Sequence, residues 1–388
     1  MARRRIIERD RKGSIIVLAA FLVVAMLGMV AFSVDVGYLT NARGELQRSA
    51  DAAALAAAYQ LINLSAPGPN YSMTTNIANG RTSAAAYAGL NKVCGSAPSI
   101  NANTSNASGG DIVIGAISTP TVPGTAMTFG NPNLYNAAQV TVSRAAGGNG
   151  EVPLFFGAIF NRTSAAASAQ ATAAVITNFN GFQMPADGSS LDILPFALDL
   201  QTWNAMMQGS GQDQWAWDAS SSSVHSGSDG VPEGNLYPQG TGSPGNRGTV
   251  DIGSSNNSTA DINRQIASGV NASDLSYMGG KIELGGNGTL QLNGDTGISA
   301  GVKDNLASII GKPKIIPIFN NVGGNGNNAQ YTIVQFVSVR ILQVKLTGSM
   351  SGKAVMIQPA GSIAKGGIPS TTNTQTSAGI FSLPFLVR

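Results

Sequence analysis

Residues 15–34 read IIVLAAFLVVAMLGMVAFSV, 20 residues without one charged side chain. At about 1.5 Å rise per residue a helix of that length spans about 30 Å, the thickness of a bilayer's hydrocarbon core. Within lipid the backbone must satisfy its own polar groups, so a single crossing segment can only be a helix. Arg3, Arg4, Arg5, Arg9, Arg11 and Lys12 precede the run, against Glu8 and Asp10, and Asp35 follows it. The positive-inside rule then leaves the N-terminus in the cytoplasm and the rest of the chain outside. A buried helix of a soluble domain seldom lacks every polar residue around its circumference. A cleaved signal peptide is the stronger competitor, since Ala31-Phe32-Ser33 offers a small-x-small site. Its apolar region usually runs about 7–15 residues, and the longer run here favours a retained anchor.

The charge distribution supports this topology. The six basic and two acidic residues above give the first twelve positions a net charge of +4, while the whole chain carries +3. Everything after residue 12 therefore sums to −1, and the sequence pI of about 9.0 reports the tail alone. A nucleic-acid-binding domain would spread Lys and Arg over a folded face, so no nucleic-acid partner is expected. There is one cysteine, Cys94, and one histidine, His225. A lone cysteine makes no internal disulfide, and the pair falls short of a zinc ligand set. His225 lies in a Ser-rich run, residues 220–227, that reads as a solvated loop, and no nucleophile or carboxylate is placed beside it by sequence. No cofactor, metal or small-molecule substrate is expected, and no enzymatic activity.

Beyond Asp35 the helical pattern continues. Val36, Leu39, Ala42 or Arg43, Leu46, Ala50, Ala53, Ala57 and Leu61 recur at steps of three and four, which puts them on one stripe. Asn41, Glu45, Arg48 and Gln60 lie opposite. Gly37 and Gly44 weaken the pattern by about 1 kcal/mol each relative to Ala without ending it. Small side chains let another helix or a sheet approach closely. Asp35, Leu39, Leu46, Ala50, Ala53 and Ala57 are therefore the candidate interaction residues, with Asp35 either resting in the headgroup zone or meeting a partner at the membrane exit.

These residues also carry a family resemblance. Arg11-Lys12-Gly13-Ser14, the apolar run, Val34-Asp35-Val36-Gly37, and then Leu46-Gln47-Arg48-Ser49-Ala50-Asp51-Ala52-Ala53-Ala54-Leu55-Ala56 resemble the N-terminal region of TadG-like proteins of the tight-adherence, or Flp, pilus assembly system of bacteria. Ala138–Val142, Val152–Phe156 and the small-residue run at 165–175 are also similar to family members. They read physically as a strand, a short apolar helix, and a further strand or helix. The resemblance implies a single-pass protein of the bacterial inner membrane, with the bulk of the chain in the periplasm or outside the cell. Its implied partners are the lipid bilayer and other pilus-assembly or pilin-like proteins.

The expected fold class is α+β, with a transmembrane helix continuing as a long pilin-like helix and followed by β-rich exported domains. The expected organisation is a basic tail at 1–14, the span at 15–34, an exported helix at 35–63, a pilin-like α+β domain at 64–178 and a β-rich domain at 179–388. In the last, short strand-like segments alternate with Gly-, Asn- and Asp-rich turns. Residues 331–346, YTIVQFVSVRILQVKL, give the strongest β signal, enough for one long strand or a hairpin. Residues 314–319 and 354–357 are expected to pair nearby.

Many TadG-like proteins carry a von Willebrand A domain, and Asp218-Ala219-Ser220-Ser221-Ser222 matches the D-x-S-x-S pattern by which such domains hold a divalent cation. The buried apolar strand that precedes that aspartate is missing here, so the segment reads as a loop. Gly-rich runs, including 323–326, lack phosphate-loop spacing and read as turns. Trp203, Trp215 and Trp217 with Met206 and Met207 form either a binding patch or part of a core. The function expected is that of a membrane-anchored, pilin-like accessory component of a Flp pilus or related secretion apparatus, working by protein–protein contact. The alternative is an exported ligand-binding or enzymatic domain that uses the same type of anchor.

Overall fold

The computed structural model describes residues 12–68, 70–237, 247–253, 258–324 and 328–387. Residues 1–11 of the basic tail and part of the Gly-rich run at 323–326 lie outside them. One helix, α1, runs unbroken from Lys12 to Gln60, 49 residues, so the apolar span and the stripe beyond it belong to a single element. Gly28, Gly37 and Gly44 have open space beside them and no proline interrupts, so nothing kinks the helix there. It ends at Gln60, where Leu61 and Ile62 donate to Ala58 and Tyr59 in a tighter last turn before the Pro67 loop.

A second helix, α2, spans Thr74–Leu90. Strands Ile112–Gly115, Ala137–Arg144, Ala167–Ala174 and Phe385–Val387 form a four-stranded sheet in that order. The segment similar to family members at 165–175 is thus a strand, Ala167–Ala174, and not a helix. Of the short apolar helix expected at 152–156, Val152–Pro153 is extended, and a 3-10 turn forms instead at Gly157–Phe160.

By contacts the chain divides into two compact units interleaved in sequence. The first comprises the described part of Met1–Ala54 with Ser83–Val113 and Gln139–Ala171, and the second comprises Leu55–Thr82, Ile114–Ala138 and Thr172–Arg388.

The second unit is built on strand Ala329–Lys345, 17 residues long, which settles the choice between one strand and a hairpin. It pairs antiparallel with Ala354–Pro359, Pro313–Gly323 and Leu290–Thr296, the first two containing the segments expected to pair nearby. Leu290–Thr296 pairs with Gly248–Val250, that strand with Phe196–Asp199, and Phe196–Asp199 runs parallel to Pro313–Gly323. The pairings return to the starting strand, so five strands close a ring. Closure needs strong local twist, and the register shifts around Phe319 supply it. Gly248 permits a close approach: a Cβ there would collide with the Asp295 carbonyl and lie 2.8 Å from the Tyr331 hydroxyl.

The long strand feeds two apolar cores. Val337, Val339 and Ile341 pack with Ile316, Ile318 and the helix Leu200–Met207, while Ala329, Tyr331, Ile333 and Phe336 pack with Phe179, Phe182 and Ile193. Of the candidate aromatic patch, Trp203 and Met206 are buried in the first of these cores. Asp199 begins their helix by accepting the Thr202 amide at 2.8 Å and pairs with Arg247 at 2.9 Å.

The Ser-rich run differs from the expected loop. Trp215–Asp218 and Ser223–Ser226 pair as a hairpin that carries His225 exposed on its second strand. The reason is local. The Asp218 carboxylate accepts the Ser220 amide at 2.8 Å, the Ser220 hydroxyl at 2.6 Å and the Ser221 hydroxyl at 2.7 Å, and Ser222 takes a left-handed φ of +52°. An Asp side chain that folds back on the next residues makes a tight turn, which returns the chain as a strand.

Candidate membrane anchor and helix seam

Within α1 the apolar span presents bare hydrocarbon. Ile15, Phe21, Leu22, Met26, Val30 and Phe32 are all exposed, and this is the one helix among the described residues long and apolar enough to cross a membrane. Ala31 is the one residue of the span that the protein itself buries.

At the end of the span the structure assigns Asp35 a protein partner. The residue is 7% exposed, and its carboxylate accepts the amide of Phe155 at 2.7 Å and that of Phe156 at 3.1 and 3.3 Å. Burying a carboxylate is costly unless hydrogen bonds replace its water, and those from two adjacent amides to an ionised oxygen pair are of the strong, charge-assisted kind. The amides belong to a loop held at its base. Val152–Pro153 pairs with Ser164–Ala165, and the buried Arg144 guanidinium donates to the carbonyls of Gly150 at 2.9 Å, Glu151 at 3.4 Å and Val93 at 3.1 Å. Gly157 lets the loop turn, because a Cβ there would collide with the Arg162 carbonyl. The Phe155 ring stands edge-on to Tyr38 at 5.1 Å, one turn of α1 beyond Asp35.

The stripe beyond is covered by the chain itself. Leu46, Ala50, Ala53 and Ala57 are 0% exposed and Leu39 is half-buried. In the first unit the Ser49 hydroxyl donates to the Ala88 carbonyl at 3.1 Å. In the second, the Asn76 side chain donates to the Gln60 carbonyl at 2.7 Å, and a Cβ on Gly80 would sit 3.2 Å from the Ala57 carbonyl. The pairs 49 with 88, 57 with 80 and 60 with 76 rise on one helix as they fall on the other, so α2 runs antiparallel along α1. Gly80, Ala84 and Ala88, spaced at four residues, are buried on α2, as is Arg81. Small residues on both sides permit this approach, and Asn76 satisfies a carbonyl left open at the α1 terminus. α2, which the sequence showed only as a patch at 82–90, is therefore a neighbour of α1 at Ser49, Ala57 and Gln60. The signal available was the four-residue spacing of Gly80, Ala84 and Ala88.

In the second unit the acidic and aromatic candidates do structural work. Hydrogen bonds, first from the Ser220 hydroxyl, hold the exposed Asp218 well below the usual carboxylate range. The guanidinium of Arg340 lies 3.8 Å above the Trp217 ring and donates to the Gly311 carbonyl at 2.7 Å. Burial pulls it down to about 10. A cleft of about 320 Å³ beside Ile193 and Ile315 holds two cations that are already paired, Lys314 with Asp192 and Lys365 with Asp187, each at 2.6 Å. Among the described residues no group of three or more His, Cys, Asp and Glu side chains could hold a metal ion.

The N-terminal helix thus carries an uninterrupted apolar span, a buried carboxylate at the end of that span, and small-residue packing beyond it. Residues 13–60 match the family model Tad, described as putative Flp pilus-assembly TadE/G-like, and the match coincides with α1. Nothing among the curated proteins or the solved structures matches the chain.

Proposed function

We propose that this protein is a membrane-anchored, pilin-like accessory component of a tight-adherence (Flp) pilus or a related secretion apparatus, and that it acts by protein–protein contact without catalysis. The observation that carries the proposal is the coincidence of the TadE/G-like match with a single continuous helix, whose first half is apolar and uncovered and whose second half is packed by α2. The charge asymmetry around the span supports a single pass of the bacterial inner membrane with the N-terminus in the cytoplasm. The rest of the chain then lies in the periplasm or beyond. Because Leu46, Ala50, Ala53 and Ala57 are covered internally, partner contact falls to the opposite flank of α1, where Asn41, Gly44 and Arg48 are exposed. The test is deletion of the gene in its host, with scoring of surface pili and of the pilus proteins that co-purify with a tagged full-length chain. Loss of pili on deletion, restored by the tagged chain together with its captured partners, is expected. Normal piliation without the protein, and no pilus component in the pull-down, would overturn the proposal.

A further inference from the structure

The loop that caps Asp35 is apolar beyond any need of the fold. From Val152 to Asn161 it carries no charge, with Glu151 and Arg162 standing at its two ends. Phe155, Ile159 and Phe160 are 64%, 71% and 62% exposed, and Phe156 is also exposed. Phe160 lines a cleft together with Ala25, Gly28, Met29, Phe32 and Ser33 of α1. Those residues lie two to ten positions before Asp35, which at about 1.5 Å per residue is about 3–15 Å back into the apolar span. The loop therefore runs along the anchor from Tyr38, where Phe155 packs, into the segment that lipid would surround.

Its backbone suits that environment. Any non-helical chain at membrane depth has to satisfy its polar groups from within the protein. Phe155 and Phe156 donate to Asp35, Leu154 to Thr163 at 2.9 Å, and Ile159 to Phe156, Asn161 to Ala158 and Arg162 to Gly157, each at 3.0 Å. Position 153 is proline and has no amide to satisfy. Asp35 thus closes the two loop amides at the point where the loop departs from the strand pair.

We propose that residues 154–160 form a second membrane-seated element, an apolar loop inserted into the outer leaflet of the bilayer against the anchor helix. Its occupant is lipid, because its exposed rings are continuous with the lipid-facing surface of the span. The proposal rests on the reading of residues 15–34 as a membrane anchor, and the experiment separates the two.

In a full-length Cys94→Ser background, single cysteines are introduced as Ile159→Cys, Phe160→Cys, Phe21→Cys within the anchor and Thr371→Cys at an exposed turn. Each is labelled with an environment-sensitive fluorophore in vesicles of phosphatidylethanolamine and phosphatidylglycerol. Two quenchers are compared, a nitroxide on the lipid acyl chain and aqueous iodide. Labels at 159 and 160 are expected to be quenched by the nitroxide to at least half the extent seen at 21, and to be shielded from iodide relative to 371. Nitroxide quenching at 21 with none at 159 and 160 overturns the proposal and leaves the anchor standing, whether iodide reaches the loop or another protein surface covers it. Absence of nitroxide quenching at 21 overturns the anchor and the proposal with it.

Discussion

Replacing Gly80 with leucine tests the seam between α1 and α2. Gly80 is buried on α2, and a Cβ at that position already stands 3.2 Å from the Ala57 carbonyl, closer than ordinary van der Waals contact. A methyl alone could be absorbed by a small shift and would bring a gain in helix propensity of about 1 kcal/mol. Leucine adds three further carbons beyond that Cβ, directed at the backbone of α1, which cannot rotate away as a side chain can. Overpacking of a fitted contact typically costs about 1–3 kcal/mol. A cost of 2 kcal/mol raises the fraction of chains with this seam open by roughly thirtyfold, since each 1.4 kcal/mol is a factor of about ten. Trypsin reports that fraction directly. Arg81 is 6% exposed, so cleavage after it requires local opening. In the full-length protein in detergent micelles, Gly80→Leu should accelerate cleavage after Arg81 by about 10- to 100-fold, after correction for the intrinsic rates of matching peptides. Asn79→Leu, on the exposed face one position away, should leave the rate within about twofold. Equal protection of Arg81 in both variants would refute the seam as the reason these residues are small.

Ala53→Trp should likewise destabilise the chain before any partner is added, because Ala53 is 0% exposed and an indole has nowhere to go; the measurement is protease resistance of the purified protein, and an unaffected chain that fails only in pilus assembly would show that the stripe faces a partner. Stability should fall with rising pH through Asp251, whose carboxyl burial, with the nearby Asp261 charge, pushes up from 3.8 to about 6. The folded chain holds that proton more tightly than the unfolded chain, so the favourable contribution is complete below about pH 4 and lost by about pH 6. The group is half-exposed and screening reduces the effect to about 1 kcal/mol; Asp251→Asn should recover it above pH 6 in urea melts, and an unchanged pH profile in that variant would contradict the assignment.

Much of this architecture is legible in the sequence, and the illegible parts have physical causes. The span and its continuation show plainly, because charge absence and the repeated Ala of 52–58 are strong local signals. The long strand shows for the same reason, with β-branched residues sustained over residues 331–346. The first turns of α2 do not, because Asn76, Asn79 and Gly80 have low helix propensity and the helix forms there only by packing on α1. Asp35 announces itself as an acid at a membrane exit, but its partners are backbone amides 120 and 121 residues away, and an amide carries no sequence identity. Closure of the strand ring rests on a parallel pairing of two residues, Ile318 with Leu198 and Phe319 with Asp199, too short to leave a pattern. The hairpin of Trp215–Asp218 and Ser223–Ser226 was hidden by low complexity, although Asp218 followed by serines is itself a turn signal.

The fate of the alanine stripe bears on how such a helix can serve an assembly. Small residues invite close approach whoever the neighbour is, and sequence alone does not say whether the neighbour is another chain. Here Gly80 meets Ala57 of the stripe from within, and glycine and alanine lose almost no side-chain entropy when packed. A covered stripe is a rigid support, since opening it exposes two apolar faces together. The support begins just past the carboxylate that pins the 154–160 loop to α1, and the TadE/G-like match ends at residue 60, where Asn76 closes the last turn. What that segment encodes is then an uncovered apolar span together with the packed helix that continues it. Arg43 and Arg48 stay exposed on the same helix, so their charges are accessible without displacing α2.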